Sequence, residues 1–205
     1  MDEGIATSWG YHVAYRLGVA PWERAGRRAG DQLSRLLDRE ESDRERPLGK
    51  ALDVGCGRGR HTLELASRGW QATGVDAVPR AIDQARRLPD GKDVTFVYGD
   101  VTALARAGVG DGFEFFLDIG CLHGLTDHQR DAAAAGITAA ATPDATLLMM
   151  AFAPGRRGPL PRGVDRAGIE RSFAEWEVVD TERAALPLPG PLKNAAPTFY
   201  RLRRR

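Results

Sequence analysis

Residues 53–59 read Asp-Val-Gly-Cys-Gly-Arg-Gly, directly behind the short apolar run Ala51-Leu52-Asp53-Val54. Alternating glycines at such a point serve two needs: a ligand can approach the backbone closely, and the turn can take positive φ. The residues that follow, from about Arg60 to Arg68, read as a helix with Gly69 as its stop. A helix N-terminus behind a glycine loop presents unpaired N–H groups to a polar ligand. Two nucleotide motifs do not fit. A Walker loop needs Gly-Lys-Ser/Thr, which is not here, and a Gly-x-Gly-x-x-Gly fingerprint would need glycine where Arg60 stands.

The same strand–helix unit recurs down the chain. Strands are expected at Gln71–Val75, Val94–Tyr98, Phe113–Leu117 and Ala145–Phe152, with helices at Pro79–Leu88, Val101–Arg106 and from Asp127 to about Ala141. Alternation of this kind predicts right-handed crossovers and a doubly wound α/β sheet, Rossmann-like and mostly parallel. Glu170–Ala174 reads as a helix, and Glu177–Thr181 and Thr198–Leu202 as strands with no helix between them, so that pair is expected to run antiparallel. Upstream, Leu33, Leu36 and Leu37 share one helical face ahead of a charged run, Asp38 to Arg46. The expected organisation is a single domain over 1–205: an N-terminal helical lid segment (1–46), a core (50–152), and a loop with closing strands (153–205).

Composition narrows the partners. The 205 residues are 42% hydrophobic and 28% charged with a formal net charge of +1, a globular balance without the basic excess of a phosphate-binding surface. Two cysteines, Cys56 and Cys121, are too few for a disulfide framework or a structural zinc site. The acidic start Met-Asp-Glu-Gly is unlike a signal peptide, and no apolar stretch nears the about 18 residues a membrane span needs. The expectation is a cytoplasmic protein with no nucleic-acid or membrane partner. Arginine outnumbers lysine and Ala and Gly abound, as in proteins of GC-rich bacteria.

Taken with its surroundings, Asp53-x-Gly55-x-Gly57-x-Gly59 resembles motif I of the class I S-adenosylmethionine-dependent methyltransferases. The likeness continues in register: Asp76 ends the second strand, Gly99-Asp100-Val101 the third, and Phe113–Gly120 matches the fourth. The resemblance implies the seven-stranded methyltransferase fold. It also implies that Asp53, Gly55 and Gly57 hold the amino-acid end of the cofactor, Asp76 the ribose hydroxyls, and Asp100 and Val101 the adenine, with Asp118 bordering the transferable methyl. A carboxylate suits a diol because it accepts from both hydroxyls. S-adenosylhomocysteine would be the product.

Beyond the fourth strand comes Asp118-Ile-Gly120-Cys-Leu-His123, similar to an Asp-x-Gly-x-x-His stretch in small methyltransferases of the thiopurine and heterocyclic-toxin type. His123 has two readings, a general base for a hydroxyl acceptor or a ring that packs beneath and orients the cofactor; the base reading is carried forward. His61 reads as a helix-face residue and His12 lacks context. Asp127, His128 and Asp131 raise a divalent-metal option, yet acids and histidines at a helix start are usually caps, so no metal is predicted. Tyr11, Tyr15 and the Pro21-Trp22 pair suggest an aromatic lid, Trp22 toward the cofactor and the tyrosines toward the acceptor, or else a helix packed on the sheet. Arg156, Arg157 and Arg162 lie in the longest irregular stretch, either an acceptor loop or a solvated one, and the terminal Arg201–Arg205 run reads as a solvated strand end.

The function expected is methyl transfer to a small-molecule or saccharide hydroxyl, with the mycobacterial mannose-oligosaccharide methyltransferases as one candidate branch. The alternatives are N- or S-methylation of a heterocycle and a cofactor-binding regulator without turnover. Asp118-Ile-Gly-Cys stands where nucleic-acid amino-methylases carry Asn/Asp-Pro-Pro-Tyr/Phe, so a base substrate is not expected. Oligomeric state, a homodimer included, stays open.

Overall fold

The computed structural model describes residues 30–88, 94–155, 161–186, 188, 192 and 194–205. Its helices are α1 (Gly30–Ser42), α2 (Arg60–Arg68), α3 (Pro79–Ala85), α4 (Leu104–Ala107), α5 (Asp127–Ala140) and α6 (Arg166–Ser172). Its strands are β1 (Lys50–Val54), β2 (Gln71–Asp76), β3 (Val94–Tyr98), β4 (Phe113–Ile119), β5 (Ala141–Ala151), β6 (Trp176–Arg183) and β7 (Thr198–Arg204). They form one sheet in the order β3-β2-β1-β4-β5-β7-β6. The pairs among β1 to β5 are parallel, and β7 runs antiparallel to both β5 and β6. The order reverses between β1 and β4, which leaves a crevice beyond their carboxyl ends.

Both faces of the sheet are covered, so its central strands are apolar throughout rather than alternating. In β4, Phe115 and Leu117 pack with Leu33, Leu37, Leu65 and Trp70 from the α1 and α2 side. Phe116 and Phe113 pack with Ile137, Ile169 and Trp176 on the opposite side. Phe113 and Phe115 would share a face in a regular strand. A register shift between them, seen against β1 and β5 alike, moves Phe113 across. In β5 the same irregularity holds Pro143 and Asp144, with Asp144 at φ 60. That is why a strand beginning at Ala145 is expected from sequence while the ladder begins at Ala141.

Other boundaries moved for local reasons. Asp165 caps α6 by accepting from the Gly168 N–H at 2.8 Å, so that helix begins ahead of the expected Glu170. The helix expected to run to Leu88 ends at Ala85 and closes in tighter turns, Arg87 N–H to Gln84 and Leu88 N–H to Ala85. No described helix is long and apolar enough to cross a membrane.

The charged run after Leu37 docks α1 instead of lying in solvent. Glu40 is only 3% exposed. One of its oxygens accepts from Arg44 Nε at 3.0 Å and from the Thr146 hydroxyl of β5, and the other accepts from Arg201 Nε of β7 at 2.7 Å. Arg201 is therefore a structural partner, which corrects the expectation of a solvated terminal run. Glu41 accepts from Trp70 Nε1 at 3.0 Å, and the Arg44 guanidinium lies 5.0 Å from the Trp70 ring centroid. Removing the anion from such a cluster strands its cations. Glu40→Ala is expected to lower the unfolding free energy by about 3 kcal/mol in urea titration. A loss below about 1 kcal/mol would mean that the ion cluster does not hold the helix.

Candidate functional site

The glycine loop leaves β1 at the switch point, and the backbone and Asp76 together hold it. The N–H groups of Gly55 and Cys56 both donate to the Val75 carbonyl, at 2.9 and 3.0 Å. Asp76, at the end of β2, accepts from the Gly57 N–H at 2.9 Å with one oxygen and from the Val78 N–H at 2.8 Å with the other. One carboxylate thus fixes the loop after β1 to the turn after β2. Gly55 sits at φ +73, and a Cβ there would stand 2.5 Å from Cys121 Cβ. Only glycine lets the first loop pass the segment that follows β4.

Two further acids lie under this loop, and both are buried. Asp53 is 2% exposed and accepts from the Thr62 hydroxyl of α2 at 2.7 Å. Asp118 is fully buried in β4; it accepts from the Cys121 N–H at 2.7 Å and from the Leu122 N–H at 3.3 Å, which turns the chain into a 3₁₀ segment at Leu122–Gly124. Burial pushes each carboxyl up to about 7; the Thr62 hydrogen bond opposes this at Asp53 and the Asp76 charge adds to it. At Asp118 the two backbone donors oppose it and Asp53 adds. Burial, and the charges of Asp118, Asp76, Asp100 and Asp53 after it, raise the Cys121 thiol well above its usual range. Cys56 is raised likewise, so neither cysteine offers a thiolate at neutral pH.

The structure therefore gathers Asp53, Gly55, Gly57, Asp76, Asp100 and Asp118 at one edge of the sheet. Asp100 is exposed and caps the turn after β3 by accepting from the Thr102 N–H at 2.8 Å. The Val101 side chain turns into the core. Asp53 and Asp118 face inward, spent on Thr62 and on the turn after β4, while Asp76 and Asp100 lie nearer the surface. Thr62 was not anticipated; its one sequence signal is a hydroxyl in the first turn of a helix that packs on an acid-bearing strand. Trp22, Tyr11, Tyr15 and Arg156, with His12 and Arg157, lie outside the described residues. Arg162 is described and exposed.

His123 is 2% exposed. Its Nδ1 accepts from the Phe152 N–H at 2.9 Å, its carbonyl accepts from the Gly163 N–H at 3.1 Å, and its ring lies 4.5 Å from the Phe152 ring, centroid to centroid. His61, half-buried on α2, has its pKa lowered to about 4 by burial and then by Arg60, so it is neutral under ordinary conditions. Thr126, not an acid, caps α5 in a capping box with Gln129, while Asp127 pairs with Arg130 and Asp131 accepts from the Ser172 hydroxyl at 2.6 Å. Among the described residues no group of three or more His, Cys, Asp or Glu could hold a metal ion.

Comparison with known proteins agrees with this geometry. Residues 51–144 match a family profile described as a methyltransferase domain. The chain is 34% identical over 138 residues to the 2-heptyl-1-hydroxyquinolin-4(1H)-one methyltransferase of Mycobacteroides abscessus, covering 64% of this chain and 60% of that protein. It is 32% identical over 78 residues to a ubiquinone biosynthesis O-methyltransferase of Cereibacter sphaeroides, 38% of this chain and 32% of that one. The chain thus spans less than two thirds of either curated relative. In three dimensions it is similar to the 1,6-didemethyltoxoflavin-N1-methyltransferase of Burkholderia thailandensis, solved with 1,6-didemethyltoxoflavin and S-adenosylhomocysteine bound. The TM-score is 0.73 and the identity 27%, over 98% of this chain and 89% of that one.

The buried acids give a signed pH test. A carboxyl raised from 3.8 to about 7 keeps its proton in the folded state after the unfolded chain has lost it. Folding stability is therefore lost progressively as pH rises from about 4 to about 7, and the loss then levels off. Asn at position 118 keeps an amide oxygen for the Cys121 N–H and carries no such charge. The melting temperature of Asp118→Asn relative to wild type is expected to rise across that window and plateau above it; a flat difference would show that Asp118 ionises normally.

Proposed function

We propose that the chain is a class I S-adenosylmethionine-dependent methyltransferase, which transfers a methyl group from S-adenosylmethionine to a small-molecule acceptor with S-adenosylhomocysteine as the second product. The observation that carries this is the Asp76 carboxylate at the switch point, tied to the glycine loop and still only half-buried. Each carboxylate oxygen has a second lone pair, so Asp76 can clasp the loop and also accept from a ribose diol. The backbone of the glycine loop at Gly55 and Gly57 would hold the amino-acid end of the cofactor. Asp100 stands at the next strand end, placed for the adenine amino group.

When bound, the cofactor supplies a methyl group activated by a sulfonium. The chain's own work is then positioning and water exclusion, which together can contribute several kcal/mol. Asp53 and Asp118 serve by holding α2 and the turn after β4 against the loop. Tyr11, Tyr15 and Trp22 would close the site, and Arg156 would meet the acceptor.

We take the acceptor to be a heterocycle. This rests on likeness to the 1,6-didemethyltoxoflavin-N1-methyltransferase across nearly the whole chain, and to the 2-heptyl-1-hydroxyquinolin-4(1H)-one methyltransferase over 138 residues. A hydroxyl acceptor on a small molecule or saccharide is the second reading; it requires a proton acceptor, the role in which the sequence alone would cast His123 and which its bond to the Phe152 N–H opposes.

Calorimetric titration of S-adenosylmethionine tests the core of the proposal. Wild type is expected to bind in the micromolar range, and Asp76→Ala, having lost charge-assisted hydrogen bonds, at least about tenfold more weakly. No binding by folded wild type would overturn the reading. With binding in hand, release of S-adenosylhomocysteine is followed with 2-heptyl-1-hydroxyquinolin-4(1H)-one, 1,6-didemethyltoxoflavin and simple sugars. Turnover on the heterocycles alone supports the first reading, on sugars the second, and binding without any turnover a regulator.

A further inference from the structure

Between β5 and α6 two described stretches lie side by side and form a narrow neck. On the outgoing side stand Phe152 to Gly155 and on the returning side Arg162 to Val164. The Gly155 N–H donates to the Arg162 carbonyl at 2.9 Å and the Val164 N–H to the Phe152 carbonyl at 2.8 Å. Gly163 has φ +78, and a Cβ there would lie 2.7 Å from the Phe152 carbonyl oxygen, so no other residue passes. His123 joins both sides: its ring nitrogen takes the Phe152 N–H, and its carbonyl takes the Gly163 N–H. A backbone N–H can only donate, so Nδ1 must accept. The neutral ring therefore carries its hydrogen on Nε2, the edge that lies 3.7 Å from the Cβ position of Gly120.

We propose that His123 is a positioning residue that clasps the neck formed by Phe152–Gly155 and Arg162–Val164 to the end of β4 through Nδ1, in the Nε2–H form, and is not the base that deprotonates an acceptor. A base needs a free lone pair, but Nδ1 engages its own with the Phe152 N–H and Nε2 carries the hydrogen. Two consequences follow for the chemistry. The ring can lend a hydrogen bond at Nε2 but has no lone pair there to take up a proton. The neck, with Arg162 on its returning side, is held in register with the turn that Asp118 makes after β4. Placing the neck on the acceptor side rests on the methyltransferase reading above; the tautomer and the clasp do not.

The test uses the full chain and needs neither cofactor nor acceptor. Nitrogen-15 correlation spectra of the histidine rings are expected to show His123 unprotonated at Nδ1 and protonated at Nε2; the opposite tautomer overturns the proposal. Amide exchange then separates the variants. In His123→Asn the amide oxygen occupies the place of Nδ1, and Phe152 is expected to keep its protection. His123→Gln and His123→Ala are expected to lose about fivefold or more, as for one neutral hydrogen bond. Once an acceptor is turned over, His123→Asn is expected to stay within about tenfold of wild-type kcat, while loss of a true base would cost about 10²–10⁴-fold. A loss of that size in His123→Asn would restore the base role, and failure to bind S-adenosylmethionine would count only against the parent reading.

Discussion

The carboxylate of Asp76 is the contact on which the candidate site depends. It takes the Gly57 N–H with one oxygen and the Val78 N–H with the other, so two loops from neighbouring parallel strands share one anion. Charge-assisted bonds of this kind are roughly twice as strong as neutral ones. They also satisfy N–H groups that a ligand-facing loop would otherwise leave without protein partners. The site edge is thereby built before any ligand arrives, and loop order contributes to binding through preorganisation.

Beneath that anion the chain buries two more acids, and the arrangement is costly in isolation. Asp53 and Asp118 sit in the sheet with carboxyls pushed up to about 7 by burial. Their retention is explained by what they hold: Thr62 in the first crossover helix and the N–H groups that turn the chain after β4. Acids of raised pKa in a crevice often act in catalysis, but both here are enclosed with their bonds directed at protein. Their part is to bring three segments, the loop after β1, α2 and the turn after β4, within contact of one another. Cys121 packed beside Gly55 is the result. The same turn carries His123 to the neck between β5 and α6.

Much of this was legible in residue order. The apolar runs and turn residues give the strand sequence, because period and turn chemistry are local properties; the glycine pattern and the acids at successive strand ends carry the family resemblance. What was not legible was local in appearance but settled by distant partners. The run Asp38 to Arg46 has the composition of a solvated face, yet Glu40 is buried because Thr146 and Arg201, far along the chain, supply its donors. The start of β5 is displaced by a bulge that only pairing with β4 defines. His123 could be placed near the site by its position after β4, but its role turns on which nitrogen the Phe152 N–H occupies.

By itself, then, the sequence determined the alternation of strands and helices, the glycine loop with its acids, and a motif resemblance to the class I methyltransferases. The first two follow from short-range sterics and from the spacing of apolar residues. The tertiary structure alone decided which acids face outward and which are consumed inside, how the charged run docks α1, and which nitrogen of His123 bears the hydrogen. The docking of α1 and the His123 tautomer depend on hydrogen-bond partners far along the chain, the enclosure of Asp53 and Asp118 depends on the packing around the sheet, and none of these has a signature in residue order.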